Sequence, residues 1–309
     1  MEENSQSCVR KEAAVPNDAD RTGNSRTNAA PLHSWLLLAA ASYMAAVCCG
    51  ALAENIILGL SLLYGEWRGT AIILINLLPM AGGIFVFALL IRRMCRMGLQ
   101  DFILGTGHEG GIRSFGTVLC LYLAGYALSE LPHALSGEIV PNSLKTAQIL
   151  VNALVCLILV PLQSAGEEFV FRGIFLRSAC GSELRCTKRA VGYGVISSVI
   201  FMLMHSGTPA LSSQKELLPL IMTYSVYLLQ GGLMYAMDLH FGDLMPGVIW
   251  HWINNLLAYW FLSAENGALS GGTILLRRQN EAAGGQIWTT LLLMLPMLIY
   301  LLADLIHRK

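Results

Sequence analysis

Apolar residues run through this chain in blocks too long for the core of a soluble domain. Eight blocks reach or approach the roughly 20 residues that a helix needs to cross about 30 Å of hydrocarbon. They are Trp35 to Leu63, Thr70 to Ile91, Phe115 to Leu131, Thr146 to about Ala179, Ala190 to His205, Leu217 to Met237, Leu244 to Leu262 and Ile287 to Ile306. Only helices and closed barrels satisfy their backbone in lipid, and blocks of this length predict helices. The expected fold class is therefore all-α, a polytopic membrane helix bundle of about eight transmembrane helices. Pro161, in the middle of the fourth block, predicts a kink or a break between two helices. The amphipathic piece from Met97 to Leu104 is expected on the membrane surface. A turn-rich link with Pro132, Gly137 and Pro141 follows the third block. No internal repeat and no inverted pair of halves is visible.

These blocks divide the chain into a flexible polar tail (1–34), a first group of transmembrane helices (35–143), a second group that forms a membrane core (144–262), and a loop with the last helix (263–309). The tail mixes charges with Pro, Asn, Ser and Thr and has no hydrophobic period. The block after it is far longer than a cleavable signal segment and reads as a retained span. Composition agrees: 55% of residues are hydrophobic, 13% are charged and the formal charge is zero. Such a chain offers no basic surface for nucleic acid and reads as a multi-pass integral protein of the cell membrane, in contact with membrane lipids. Lys and Arg are unevenly placed, with fifteen of the twenty on the side of the tail, the loops at 92–114, 166–189 and 238–243, and the C-terminus. That bias predicts both termini in the cytoplasm. The eight cysteines (8, 48, 49, 95, 120, 156, 180 and 186) contain no CxxC pair. Neither disulfides nor a zinc ribbon is expected, and Cys48, Cys49, Cys120 and Cys156 read as inert packing residues.

Against this apolar background, Gly166-Glu167-Glu168-Phe169-Val170-Phe171-Arg172-Gly173 stands out. Each ionisable side chain costs roughly 2.5 to 3.5 kcal/mol at the centre of a membrane helix on insertion scales. On a helix, Glu168 and Arg172 share a face at i, i+4 and can form a charge-assisted pair, which lowers the cost of burying both. Glu167 points about 100° away and is free to face a cavity, where a partly desolvated carboxylate suits the work of a general base. Taken alone, the same pattern reads equally well as an ion pair locking a helix interface. Two further blocks carry titratable groups. Phe201 and His205 share a face of the fifth, and His251 and Asn255 share a face of the seventh. Counting about 1.5 Å per residue from the cytoplasmic helix ends puts Glu167 at roughly 18 Å, His205 at roughly 22 Å and His251 at roughly 12 Å. Within the uncertainty of the helix ends the three meet near mid-membrane, and intramembrane groups at one depth face each other or a wet cavity.

Three motifs in order, EExxxR (Glu167, Glu168, Arg172), FxxxH (Phe201, His205) and HxxxN (His251, Asn255), resemble the CAAX protease and bacteriocin-processing (Abi) family of intramembrane endopeptidases. The resemblance covers about Leu144 to Leu262 and makes 144–262 the catalytic core. It implies that Glu167 activates a water with the help of His205, that His251 and Asn255 stabilise the oxyanion, and that Glu168 and Arg172, with Phe201, support the site. It implies a peptide or lipidated protein as substrate. Glu167, His205 and His251 also have the ligand types of a catalytic zinc site, but no HExxH is present. The cofactor expectation is therefore none or a divalent metal such as zinc. Two other readings stay open: a non-catalytic scaffold or bacteriocin-immunity protein that retains the fold, and a proton-coupled transporter. Outside the motifs, Glu54 and Asn55 are expected at a helix interface, and Glu130 and Asp238 near span ends where water reaches them. His33, His108, His133, His240 and His307 fall in tails or loops and carry no case for function.

Overall fold

The computed structural model of the protein describes residues 30–63, 65–105, 111–181, 188–207, 216–265, 267, 269–278 and 284–307. Most of the expected tail, with Cys8, and also His108 and Cys186, lies outside the described residues. The described chain is helical apart from one small sheet. Helix α1 (Leu32–Leu63) packs along α2 (Arg68–Cys95), and α2 packs along α5 (Thr146–Glu168). Between them come the short α3 (Leu99–Leu104) and α4 (Gly111–Leu135). After α5 follow a π-helical turn (Phe169–Gly173), α6 (Ile174–Cys180), α7 (Lys188–Met204), a 3-10 turn (His205–Gly207) and α8 (Leu217–Phe241). The chain ends with α9 (Met245–Leu256), a second π turn (Leu257–Phe261) and α10 (Gly284–His307), which packs along α4.

Among the described residues, six helices are long and apolar enough to cross a membrane: Leu32–Gly59, Gly65–Cys95, Ser114–Leu135, Thr146–Cys180, Leu217–Phe241 and Ile287–His307. The other two expected spans are helical but short. α7 has 17 residues and α9 has 12. α9 is largely covered by its neighbours, whereas α7 keeps an exposed apolar face with Val191, Val195, Ile196 and Leu203. The fourth block shows a different break from the one expected. α5 runs unbroken through Pro161, and the disturbance comes at the π turn after Glu168. α4 likewise continues through Pro132 to Leu135, one turn beyond the expected start of the link.

The link and the loop after the second π turn then form a three-stranded sheet in the order β1 (Ile139–Pro141), β3 (Leu275–Arg277), β2 (Leu262–Ala264). β1 and β3 are antiparallel, with Val140 opposite Leu276, and β2 runs parallel to β3, with Ser263 opposite Leu276. Side chains tie this layer to the helix ends. Arg277 reaches Glu130 at 3.1 Å, and Asn152 of α5 donates to the Gly272 carbonyl at 2.9 Å while accepting from Thr70 of α2 at 2.6 Å.

The main core gathers Trp35, Phe87, Phe102 and Phe169, so α3 is docked through Phe102 into an aromatic cluster joining α1, α2 and the first π turn. Several expectations for polar residues change here. Glu54 and Asn55 are exposed, and Asn55 donates back to the Ala51 carbonyl of its own helix at 2.7 Å, so neither lies at a helix interface. Cys48, Cys49 and Cys120 are on the outer surface and not in a packed interior; a thiol is apolar enough for such a face. Cys156 is buried.

Helix contact in this bundle depends on small residues. A Cβ built on Gly125 of α4 would lie 2.0 Å from the Leu293 carbonyl oxygen of α10, whereas one on Gly116 of the same helix meets nothing within 4 Å. Gly125→Ala should therefore force α4 and α10 apart, a strain of at least about 1–3 kcal/mol. Gly116→Ala should be neutral or gain up to about 1 kcal/mol from helix propensity. Thermal unfolding of both variants in detergent checks this, and equal melting temperatures would contradict the close approach.

Candidate functional site

The site grows from the end of α5. Gln163 and Glu167 share one face of this helix at i, i+4, and Glu168 is its last residue. The next five residues, Phe169 to Gly173, form the π turn and are all buried. Such a turn adds a residue to the helical ring and leaves a carbonyl short of its regular partner. Ser197 of α7 donates to one of these carbonyls, that of Phe171, at 2.6 Å. Gly173 closes the turn where space is smallest, since a Cβ there would lie 2.4 Å from the Phe102 ring.

Across the turn, Glu168 and Arg172 form a direct ion pair, with side chains 1% and 0% exposed. The guanidinium carbon of Arg172 lies 4.2 Å from the centre of the Phe201 ring. Phe201 is thus the apolar plate on which the cation rests. The other Glu168 oxygen, Oε1, is 2.5 Å from Nδ1 of His251. A carboxylate held by a guanidinium is an acceptor, so Nδ1 of His251 carries a proton. Its Nε2 then faces Oε2 of Glu167 at 3.7 Å. The two adjacent glutamates therefore flank one imidazole, each addressing a different nitrogen.

Glu167 is also held from its own helix, because Gln163 donates from Nε2 to its Oε1. The same amide accepts from Nδ2 of Asn255 at 2.9 Å. His205 begins the 3-10 turn that ends α7, and its Nδ1 donates to the Phe201 carbonyl at 2.7 Å. That assignment leaves the lone pair of Nε2 available. The His205 ring stacks on Tyr227 at 4.3 Å and sits 4.4 Å from the Phe201 ring. Glu167, Glu168, Arg172, Phe201, His251 and Asn255 are thus joined by direct contacts or through Gln163. His205 joins through Phe201 and lies within the electrostatic reach of Glu167 and His251.

His251 is held in place from the start of α9. Pro at the first turn suits the helix start, and the Met245 N–H donates to Asp243 at 2.8 Å. The Gly247 N–H donates to Oδ1 of Asp238 at 2.8 Å. Asp238 is fully buried, a correction to the expectation that water reaches it. It lies near the end of α8 in the sequence, but the first turn of α9 folds over it, and Gly247 has no Cβ to keep the two apart. A carboxylate at this helix start also complements the helix dipole. Burial pushes the Asp243 carboxyl up to about 6, against the opposing pull of the Met245 N–H and of the Arg177 guanidinium. Glu130 is largely covered and paired with Arg277, a second departure from the expected solvated span end.

Sequence reasoning passed over Gln163, Asn254 and Tyr122. The Tyr122 hydroxyl donates to Oδ1 of Asn254 at 3.0 Å, and Asn254 donates to Oδ1 of Asn255 at 3.3 Å. The i, i+4 spacing of Gln163 and Glu167 was a usable signal, and so was the adjacency of the two asparagines. Nothing local marks Tyr122. Among the described residues, no group of three His, Cys, Asp or Glu side chains is placed to hold a metal ion. Glu167, His205 and His251, whose ligand types would also suit zinc, do not form such a group.

Residues 146–257 match the family model described as type II CAAX prenyl endopeptidase, Rce1-like. No curated protein and no solved structure matches the chain. The matched segment runs from the start of α5 to the first residue after α9 and contains all three motifs. That segment is similar to the type II CAAX prenyl endopeptidases, and the six apolar helices support an integral membrane protein.

A buried ion pair is costly to break from one side. Arg172→Met leaves Glu168 without its main counter-charge and should destabilise the protein by about 3–5 kcal/mol. Adding Glu168→Gln to Arg172→Met should recover part of that loss. Unfolding in detergent monitored by circular dichroism gives both numbers, and a double variant no more stable than the single one would contradict the pairing.

Proposed function

We propose that this protein, with an Rce1-like segment spanning residues 146–257, is an intramembrane endopeptidase in which Glu167 is the general base. One observation carries the reading: the two adjacent carboxylates are used differently. Glu168 gives one oxygen to Arg172 and the other to His251. Glu167 gives one oxygen to Gln163 and turns the other toward His251 Nε2 across 3.7 Å, beyond direct hydrogen-bond length. One carboxylate is committed to the scaffold, and the other keeps a basic lone pair.

Glu167 takes a proton from water as the water oxygen bonds to the scissile carbonyl carbon, and the carbonyl electron pair moves onto its oxygen. His251 and Asn255 donate to that oxyanion, His251 from Nε2 while Nδ1 remains on Glu168. Donation from both ring nitrogens takes His251 as the imidazolium. His205 assists through its free Nε2, which accepts the second hydrogen of the water. Collapse of the intermediate restores the carbonyl and breaks the C–N bond, and the proton on Glu167 passes to the leaving amine. One water is consumed, and a carboxylic acid and an amine leave.

The family implies a peptide or a prenylated protein as substrate. A lipid attached to that peptide stays among the helices while the peptide enters the site. The excess of Lys and Arg on one side of the spans supports cytoplasmic termini and entry of the peptide from that side.

The test is hydrolysis of a fluorophore-quenched prenylated CAAX peptide by purified protein in detergent, wild type beside Glu167→Gln. The variant should lose about 10²–10⁴ in kcat while melting like wild type. Retention of more than about a tenth of the rate would put the base elsewhere. A chelator should leave the wild-type rate unchanged, and loss in chelator would add a metal to the site.

A further inference from the structure

The hydrogen bonds behind Glu167 all run in one direction. A carboxylate only accepts, so Gln163 must present its Nε2 to Glu167. Its Oε1 is then turned away and accepts from Asn255 Nδ2 at 2.9 Å. This leaves Asn255 Oδ1 to accept from Asn254 Nδ2 at 3.3 Å, and Asn254 Oδ1 to accept from the Tyr122 hydroxyl at 3.0 Å. The charge on one carboxylate thereby decides the orientation of three amides in succession. Only the tyrosine at the far end has a choice of role, and it donates. Donors aligned toward an anion polarise each other and strengthen the chain.

We propose that Tyr122, Asn254 and Gln163 are positioning residues, a hydrogen-bond relay that fixes the carboxylate of Glu167 and the amide of Asn255 in one geometry. The relay rests on the reading of Glu167 as the base and extends it. With one Nδ2 hydrogen on Gln163 and Oδ1 on Asn254, Asn255 keeps its second Nδ2 hydrogen for the oxyanion. Base and oxyanion donor are therefore set by the same chain of bonds.

Tyr122 brings α4 into the site. It lies outside the matched segment 146–257, is 1% exposed, and meets Trp250 edge-on at 4.7 Å. Its hydroxyl reaches across 132 positions of sequence to Asn254. The first group of helices thus supplies a part that the motif-bearing helices lack.

The experiment is a double-mutant cycle on cleavage of the same quenched prenylated CAAX peptide by the full chain. Tyr122→Phe removes one oxygen and keeps the ring, and should lower kcat about tenfold with KM within about twofold. Gln163→Leu should lower kcat about a hundredfold. The double variant should be no slower than Gln163→Leu alone, because beyond a broken link the hydroxyl no longer acts on the base. Residues with separate structural roles would instead multiply their losses, and that outcome overturns the relay. So does wild-type kcat in Tyr122→Phe. Should Gln163→Leu fail to fold, Asn254→Ala breaks the chain at another link and completes the same cycle. Glu167→Gln run alongside separates the two claims. Cleavage retained there overturns the base itself, whereas a dead Glu167→Gln beside an unaffected Tyr122→Phe overturns the relay alone.

Discussion

The buried pair of Glu168 and Arg172 is the constraint on which the rest of this structure depends. Two full charges inside an apolar bundle are tolerated only when each is matched and hydrogen-bonded. Every neighbour bears on that requirement. Phe201 lies under the guanidinium, His251 takes the remaining carboxylate oxygen, and Gly231 of α8 offers its carbonyl to Arg172 Nε at 3.5 Å. Four helices are brought to one place by the need to satisfy two side chains. Once they are there, Glu167 is left at the edge of the cluster, with Oε2 3.7 Å from His251 Nε2.

Two irregular turns make this convergence possible. The π turn after Glu168 carries Arg172, and Ser197 takes up a carbonyl within it. The second π turn follows Asn255 by one residue, as α9 passes toward the sheet. In both places regular helix gives way next to a side chain of the site. The start of α9 is controlled as well, by Asp238 through Gly247 and by Asp243 through Met245. The imidazole of His251 is one helical turn beyond Gly247, so a contact at the helix start sets the height of the ring.

Much of this was readable in the chain. Apolar blocks of span length announce themselves, and the pairing of Glu168 with Arg172 follows from i, i+4 spacing and the cost of burying charge. What could not be read depends on distant contacts. The three-residue strands of the small sheet carry no period long enough to detect. The helical part of the block at 244–262 ends at Leu256, where the second π turn begins, and nothing in the apolar run marks that point. Asp238 looked solvated because sequence position stood in for depth. Gln163 is marked only by its i, i+4 spacing to Glu167, since an uncharged amide in an apolar helix raises no alarm, although it touches both Glu167 and Asn255. Tyr122 could not be found at all, since its role depends on a partner on another helix.

The most direct measurement of the central claim is an experimental structure of Glu167→Gln bound to an uncleaved prenylated peptide. The account predicts that the scissile carbonyl lies beside residue 167, its oxygen about 2.7–3.1 Å from the Asn255 amide nitrogen and His251 Nε2. The Glu168–Arg172 pair should be undisturbed behind it. A scissile carbonyl lodged away from residue 167, with no donor from Asn255 or His251, would contradict it.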